Sequence, residues 1–209
     1  MKRAISIILV AFAMAVASAS DLRTLFIGMP DSIMPSLTPS DRMDFLDYMD
    51  SGMRARVHNK LGGESEMTLF QDNMLTVRTS RSGRVDMVLF SKKGGGTIIC
   101  VIKTVTARYD DSHLSFYTEN WEPVPVKDLI EIPQFDDYLT KEALKSDSLD
   151  ALKKESILRL HSITAVDGGL EFRYTSLEDL GEDAEHYKTW FKPEPLRYYW
   201  NGKRFKVGK

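Results

Sequence analysis

Between Met74 and Trp121 the chain holds four apolar or β-branched runs, three of which alternate apolar and polar residues. Leu75 and Val77 alternate with Thr76 and Arg78. Val85, Met87 and Leu89 alternate with Asp86 and Val88, and Leu114, Phe116 and Thr118 alternate with Ser115 and Tyr117. A period of two places one side chain in a core and the next in water, which predicts strands with one buried face. The remaining run, Thr97 to Val105, is apolar on both faces from Ile98 to Ile102 and predicts a central strand covered on both sides. Turn residues separate the runs at Ser80-Arg81-Ser82-Gly83, Lys92-Lys93-Gly94-Gly95-Gly96 and Tyr109-Asp110-Asp111-Ser112. The stretch therefore predicts an antiparallel meander.

Upstream, residues 20–37 mix apolar residues with Pro30 and Pro35 and predict an extended lead-in. Thr38-Pro39-Ser40-Asp41 then opens a helix, with Thr38 as N-cap and Pro39 at the first helical position. Phe45, Met43, Leu46, Met49 and Met53 give it an apolar face that suits a core, and Ser51-Gly52 stops it. Met53, Ala55 and Val57 then alternate with Arg54, Arg56 and His58, an edge strand with a basic outer face. Glu66 to Phe70 is a further strand, turning at Asp72-Asn73.

Downstream, Pro123, Pro125 and Pro133 bracket one helical turn at Lys127 to Glu131. Thr140 to Glu155 reads helical, with Ser146-Asp147-Ser148 able to split it. Strands are predicted near 157–165, 170–175 and 186–191, the first two joined by Asp167-Gly168-Gly169. The chain closes on a hairpin over Leu196 to Val207. Asn201-Gly202 fits a two-residue type I′ turn that pairs Trp200 with Lys203 and Tyr198 with Phe205. Leu196, Tyr198, Trp200, Phe205 and Val207 then share one face, and Arg197, Tyr199, Arg204 and Lys206 the other.

These elements predict an α+β fold: antiparallel meander sheets with helices packed on one face. A helix from Thr38 and four strands are echoed by a helix from Thr140 and four strands, and Leu114-Ser115-Phe116-Tyr117 resembles Leu196-Arg197-Tyr198-Tyr199. The expected organisation is a leader over 1–19, a helix-plus-meander unit over 20–126 and a second over 127–209, which can be a tandem repeat within one compact body.

The N-terminus changes the picture. Met1-Lys2-Arg3 is a short positive region, residues 4–16 are apolar, and Ala17-Ser18-Ala19 is a small-residue cleavage signal. The apolar run is shorter than the roughly 20 residues of a membrane span. The reading is a secretory signal peptide cut after Ala19, a periplasmic or extracellular mature chain, and no stable membrane span after cleavage. No Cys near the cut offers a site for lipid attachment. Of 28 basic residues the leader removes Lys2 and Arg3, which against 30 acidic residues leaves a mature net charge of -4. That excludes a general basic character, so no nucleic acid is expected as partner.

Candidate chemistry adds little. Cys100, the single cysteine, lies inside Ile98-Ile99-Cys100-Val101-Ile102 and reads as a small buried hydrophobe. His58, His113, His161 and His186 show no metal-ligand spacing; Glu182, Asp183, Glu185 and His186 could hold a cation through oxygens but read as a solvated acidic loop. Lys92 to Gly96 has the wrong order for a phosphate loop. Asp110-Asp111 and Asp136-Asp137 read as turn residues, since neighbours in a strand point to opposite faces. No catalytic residue, metal or cofactor is assigned. The one candidate ligand surface is the wet face of the last hairpin, Arg197, Tyr199, Arg204 and Lys206, where basic groups flank an aromatic ring.

The run Phe26-Ile27-Gly28-Met29-Pro30-Asp31-Ser32-Ile33-Met34-Pro35-Ser36-Leu37, with Asp44-Phe45-Leu46-Asp47, Asp50-Ser51-Gly52-Met53 and Gly63-Glu64-Ser65-Glu66-Met67-Thr68, resembles a secreted domain-of-unknown-function family of Gram-negative gut bacteria, of the Bacteroides-type DUF3256 kind. The resemblance implies export and a small α+β body, and carries no catalytic residues. The expected function is an exported, non-catalytic binding or interaction module with a protein or glycan partner in the cell envelope. The alternatives are a secreted hydrolase acting on envelope or dietary polymers, and an envelope-assembly protein.

Overall fold

The structure, a computed structural model, describes residues 21–180 and 184–208. The expected leader therefore lies outside the described residues, as do Glu182 and Asp183 of the acidic loop. Among the described residues the fold is α+β, built from two antiparallel sheets and short helices.

The larger sheet has seven strands in chain order: β1 (Arg56–His58), β2 (Glu64–Phe70), β3 (Met74–Arg78), β4 (Gly83–Ser91), β5 (Thr97–Thr106), β6 (Asp110–Tyr117) and β7 (Pro123–Val124). The predicted meander is thus present, and β5 is the central strand, with Ile98 to Ile102 buried on both faces. The turn before β6 falls at 107–109, because Thr106 already pairs with Asp110 and donates its hydroxyl to that carboxylate at 2.6 Å.

One face of this sheet carries Leu75, Val77, Val85, Met87, Ile99 and Val101. It is covered by α1 (Leu22–Ile27) and α2 (Pro39–Asp50) and by the segment between them. The lead-in expected to be extended thus begins as a helix, which Asp21 caps by accepting from the Arg23 amide and which ends at Gly28, ahead of both prolines. Helix α2 starts as predicted: Thr38 and Asp41 form a reciprocal capping box at 3.0 and 2.6 Å. Phe45 and Leu46 are buried on its inner face, whereas Met43 and Met53, expected to share it, are exposed. Arg42 is buried instead, 1% exposed. Its guanidinium donates to the carbonyls of Ile27 (3.2 Å), Met29 (2.7 Å) and Leu37 (3.3 Å) and to Asp31 (3.3 Å). One side chain thereby satisfies the backbone of a segment that has no ladder of its own.

The opposite face carries Val88, Phe90, Ile98, Cys100, Ile102, Leu114 and Phe116, and packs on the smaller sheet. That sheet is again a meander: β8 (His161–Val166), β9 (Gly169–Tyr174), β10 (Leu196–Trp200) and β11 (Phe205–Val207). Leu170, Phe172, Tyr198 and Phe205 point into the shared core. Phe205 meets Phe90 edge-on at 4.9 Å and Phe116 at 5.7 Å. Helices α3 (Val126–Leu129), α4 (Leu149–Glu155) and α5 (Ala184–Lys188) close its margins with Leu129, Leu152 and Tyr187.

Three expectations are corrected here. The strand near 186–191 is α5 and the turn after it, where Trp190 donates to the Tyr187 carbonyl and Lys188 is held by Glu185 and Glu178. The strand expected from 157 begins only at His161, with Ile157 90% exposed. The last hairpin pairs Tyr198 with Val207 and Trp200 with Phe205, so its loop is Asn201 to Arg204 rather than two residues. The slip is by two residues, which preserves the inward face. Val207, expected on that face, ends the strand exposed. The loop differs because it docks: Lys93, at the glycine-rich β4–β5 tip, donates its amide to the Gly202 carbonyl at 2.7 Å, and Trp200 donates to the Ser91 carbonyl at 2.6 Å. Gly202 sits at φ +89, and a Cβ there would lie 2.8 Å from the Lys93 Cβ.

Candidate functional site

The candidate surface of the last hairpin does not hold together as one site. Arg197 reaches across the sheet to Glu171, Nε to Oε1 at 2.6 Å, and the carboxylate beside it pushes the guanidinium above its ordinary range. Tyr199 and Lys206 are exposed and directly opposite one another. Arg204 has left this face: it lies in the loop, half-buried, and lines a cleft with Val126, Lys127, Ile130, Glu131, Ile132 and Gln134.

A different set converges on the larger sheet. The observed register places Arg56 opposite Glu66, Glu66 opposite Arg78, Arg78 opposite Arg84, Arg84 opposite Thr104 and Thr104 opposite Ser112. This is one polar row straight across β1 to β6, on the face that the smaller sheet covers elsewhere. Its inner end is enclosed: Thr104 and Ser112 are 2% and 7% exposed and share a hydrogen bond at 2.9 Å. Beside them the buried Asp86 accepts from Thr76 Oγ1 at 2.7 Å and from Arg84 Nε at 3.0 Å. The outer end, over β1 to β3, is open.

The open end leads into a cleft of about 650 Å³ between two hairpin tips, residues 59–63 and 79–82, lined by Arg56, Arg78, Arg81, Glu64 and Glu66 among others. Asn59 sets the two tips against each other. Its carbonyl oxygen accepts from the amides of Leu61 (3.0 Å) and Gly63 (3.1 Å), and its amide donates to Ser65 Oγ (3.0 Å) and the Thr79 carbonyl (3.2 Å). At the second tip a Cβ on Gly83 would come within 2.6 Å of Thr79 Oγ1, so a larger residue there would displace that hydroxyl.

The charges in this cleft are not balanced. Glu66 is taken by Arg54 through two contacts, 2.7 and 2.9 Å, and by Arg56 at 3.4 Å, while Glu64 takes the other arm of Arg56 at 2.8 Å. The Arg54 guanidinium beside Glu66 holds that carboxyl down at about 2. Arg78 lies directly opposite Glu66, yet neither it nor Arg81 has an ion pair among the described residues. Arg78 instead faces Arg84 across the β3–β4 pair, and Arg84 is already paired with Asp86. A second cavity of about 330 Å³ contrasts with this one. Its cations are all engaged: Arg173 donates to the Pro193 carbonyl, Lys192 to the Asp137 carbonyl, and Lys188 to Glu178 and Glu185.

The remaining candidates are structural. Cys100 is fully buried, and burial pushes its thiol far up. Asp137 caps its own turn through the Gln134 amide at 2.7 Å, and Asp136 pairs with Lys153. Among the described residues no three His, Cys, Asp or Glu side chains converge as metal ligands, and no helix is long and apolar enough to cross a membrane. The basic side of the edge strand at Arg54 and Arg56 is visible in the sequence, and the row is not. The row exists only once strands far apart in the chain are in register.

A structure of a domain of an uncharacterized protein from Porphyromonas gingivalis W83 is similar to this one, with a TM-score of 0.79 and 25% identity over 91% of this chain and 98% of that chain. Curated protein sequences give no match. The family described as "Protein of unknown function (DUF3256)" matches residues 14–205, and the chain belongs to that family.

Proposed function

We propose that the chain is an exported, non-catalytic binding module that engages a partner in the cell envelope through the open end of its arginine row. Export rests on the positive, apolar and small-residue pattern of residues 1–19. Binding rests on a single observation: Arg78 and Arg81 enter a sizeable cleft without a carboxylate partner among the described residues, while Glu64 and Glu66 beside them are already held. Guanidiniums left in this state are predisposed to bind planar anionic groups through paired N–H donors. The cleft volume is within the range of small-ligand sites.

The test is affinity capture from an envelope extract with three baits: the mature chain, Arg78→Ser/Arg81→Ser, and Arg197→Ser/Lys206→Ser. The expected result is a protein or glycan retained by the first and third baits and lost by the second. Equal capture by all three would remove the row as the working surface. Intact mass of the expressed protein tests export, with a chain beginning at Ser20 expected.

A further inference from the structure

We infer that the ligand of this cleft is an acidic glycan, recognised through carboxylate or sulfate groups by Arg78 and Arg81; the inference rests on the binding reading above and names its chemistry. The anionic part follows from the geometry. Arg78 and Arg81 flank the β3–β4 turn, one at the end of a strand and one at the tip, and both line the cleft. Arg78 and Arg81 thus offer two positive groups beside one turn, which neighbouring charged groups of one extended polymer can meet. Glu64 and Glu66 are held by Arg54 and Arg56 on the β2 side, which leaves Arg78 and Arg81 as the cleft's unengaged cations among the described residues.

The glycan part follows from the rest of the lining. Asn59, Thr79, Ser80 and Ser82 supply amide and hydroxyl groups, and Leu61 is the one apolar side chain. Binding of single-stranded nucleic acid is carried by aromatic platforms on which bases stack, and none lines this cleft. Peptide hot spots are aromatic or aliphatic anchors seated in pockets, and the exposed Leu61 offers no such seat. A hydrated, hydroxyl-rich ligand carrying negative groups matches this surface.

The experiment is titration of the mature chain with heparin, polygalacturonate, neutral dextran and a thirty-residue oligothymidylate. Expected is binding of heparin or polygalacturonate that weakens about tenfold or more in Arg78→Ser/Arg81→Ser, falls as salt shortens the screening length, and is unchanged in Arg197→Ser/Lys206→Ser. Dextran should not bind. Oligothymidylate binding as tight as that of the glycans, dextran binding, or an unaltered affinity in the Arg78 and Arg81 variant overturns the inference. If neither acidic glycan binds while extract capture still depends on Arg78 and Arg81, the ligand class falls and the binding module stands; if capture is also insensitive, both fall. Thermal melts of each variant show that the exposed substitutions leave the fold in place.

Discussion

Replacing Arg42 by Met tests the account of how the helical layer is held. The side chain is 1% exposed, and it is held by three backbone carbonyls and one half-exposed carboxylate, Asp31. Its strongest contact is to Met29 at 2.7 Å; those to Ile27 and Leu37 are longer, at 3.2 and 3.3 Å. Met fills similar volume but leaves three carbonyls without this donor. Each buried orphan is worth about 1–3 kcal/mol, and the longer contacts belong at the lower end, so the expected loss is about 4 kcal/mol. That is a large part of a typical stability of roughly 5–15 kcal/mol. Urea unfolding followed by tryptophan fluorescence measures it by linear extrapolation. Arg42→Lys should recover less than half, because a single ammonium cannot reach carbonyls lying in three directions. Asp31→Asn should cost far less than Arg42→Met, since Asp31 is half-exposed and shared with Lys60. A loss below about 1 kcal/mol in Arg42→Met would refute the argument, as would an equal loss in Asp31→Asn.

Trp121 sits at φ +61 in the turn between β6 and β7, where Trp121 donates to the Thr118 carbonyl and Thr118 to the Glu122 carbonyl. A left-handed position disfavours any residue with a Cβ, by about 1 kcal/mol, so Trp121→Gly should be more stable than Trp121→Ala by about that amount in urea melts, although both lose the ring packed on Tyr117. Glu66 has its carboxyl depressed from 4.5 to about 2, chiefly by the hydrogen bond from Arg54. Its contribution is therefore complete above about pH 4.5 and lost as pH falls toward 2; the melting-temperature gap between wild type and Glu66→Gln should shrink over that window, and the exposure of Arg54 limits it to about 1 kcal/mol. Cys100 should resist maleimide at pH 8 in the native state and label fully in urea, as read by intact mass; labelling of the folded protein within minutes would contradict its burial.

What the sequence disclosed and what it hid divide along range. The N-cap at Thr38, the turn at Asp167 to Gly169 and the doubly apolar run of β5 are each written in consecutive residues, and each is where the sequence places it. The errors arise where a distant partner decides. Pro30 and Pro35 suggested an extended lead-in, but they follow a helix, and the irregular stretch they do occupy is held by Arg42 from another element. Asn201-Gly202 favours a two-residue turn locally, yet Gly202 takes the backbone shape that meets Lys93 on the other sheet. The aromatic spacing of Tyr187 and Phe191 imitates a strand, while the local charges of Glu185 and Lys188 favour a helical turn. The arginine row is the extreme case. Its members are ordinary wet-face residues one strand at a time, and only the register of successive strand pairs aligns them.

The row also accounts for the shape of the molecule. The smaller sheet packs on Val88, Phe90, Cys100 and Phe116. Extending it over Arg78 and Arg84 would bury two guanidiniums of which only Arg84 has a carboxylate, Asp86, at a desolvation penalty of several kcal/mol per ion. The charges therefore fix where the second layer ends. Part of this polarity has a purely structural use: β1 is a short edge strand, and the Arg54, Arg56, Glu64 and Glu66 lattice protects it from pairing with another chain. That use accounts for the paired charges and stops at them. Arg78 and Arg81 lie on an inner strand and its turn, protect no edge, and neutralise no neighbour. Edge protection leaves them unexplained, whereas the proposed ligand, by supplying negative charge, would account for their placement in the cleft.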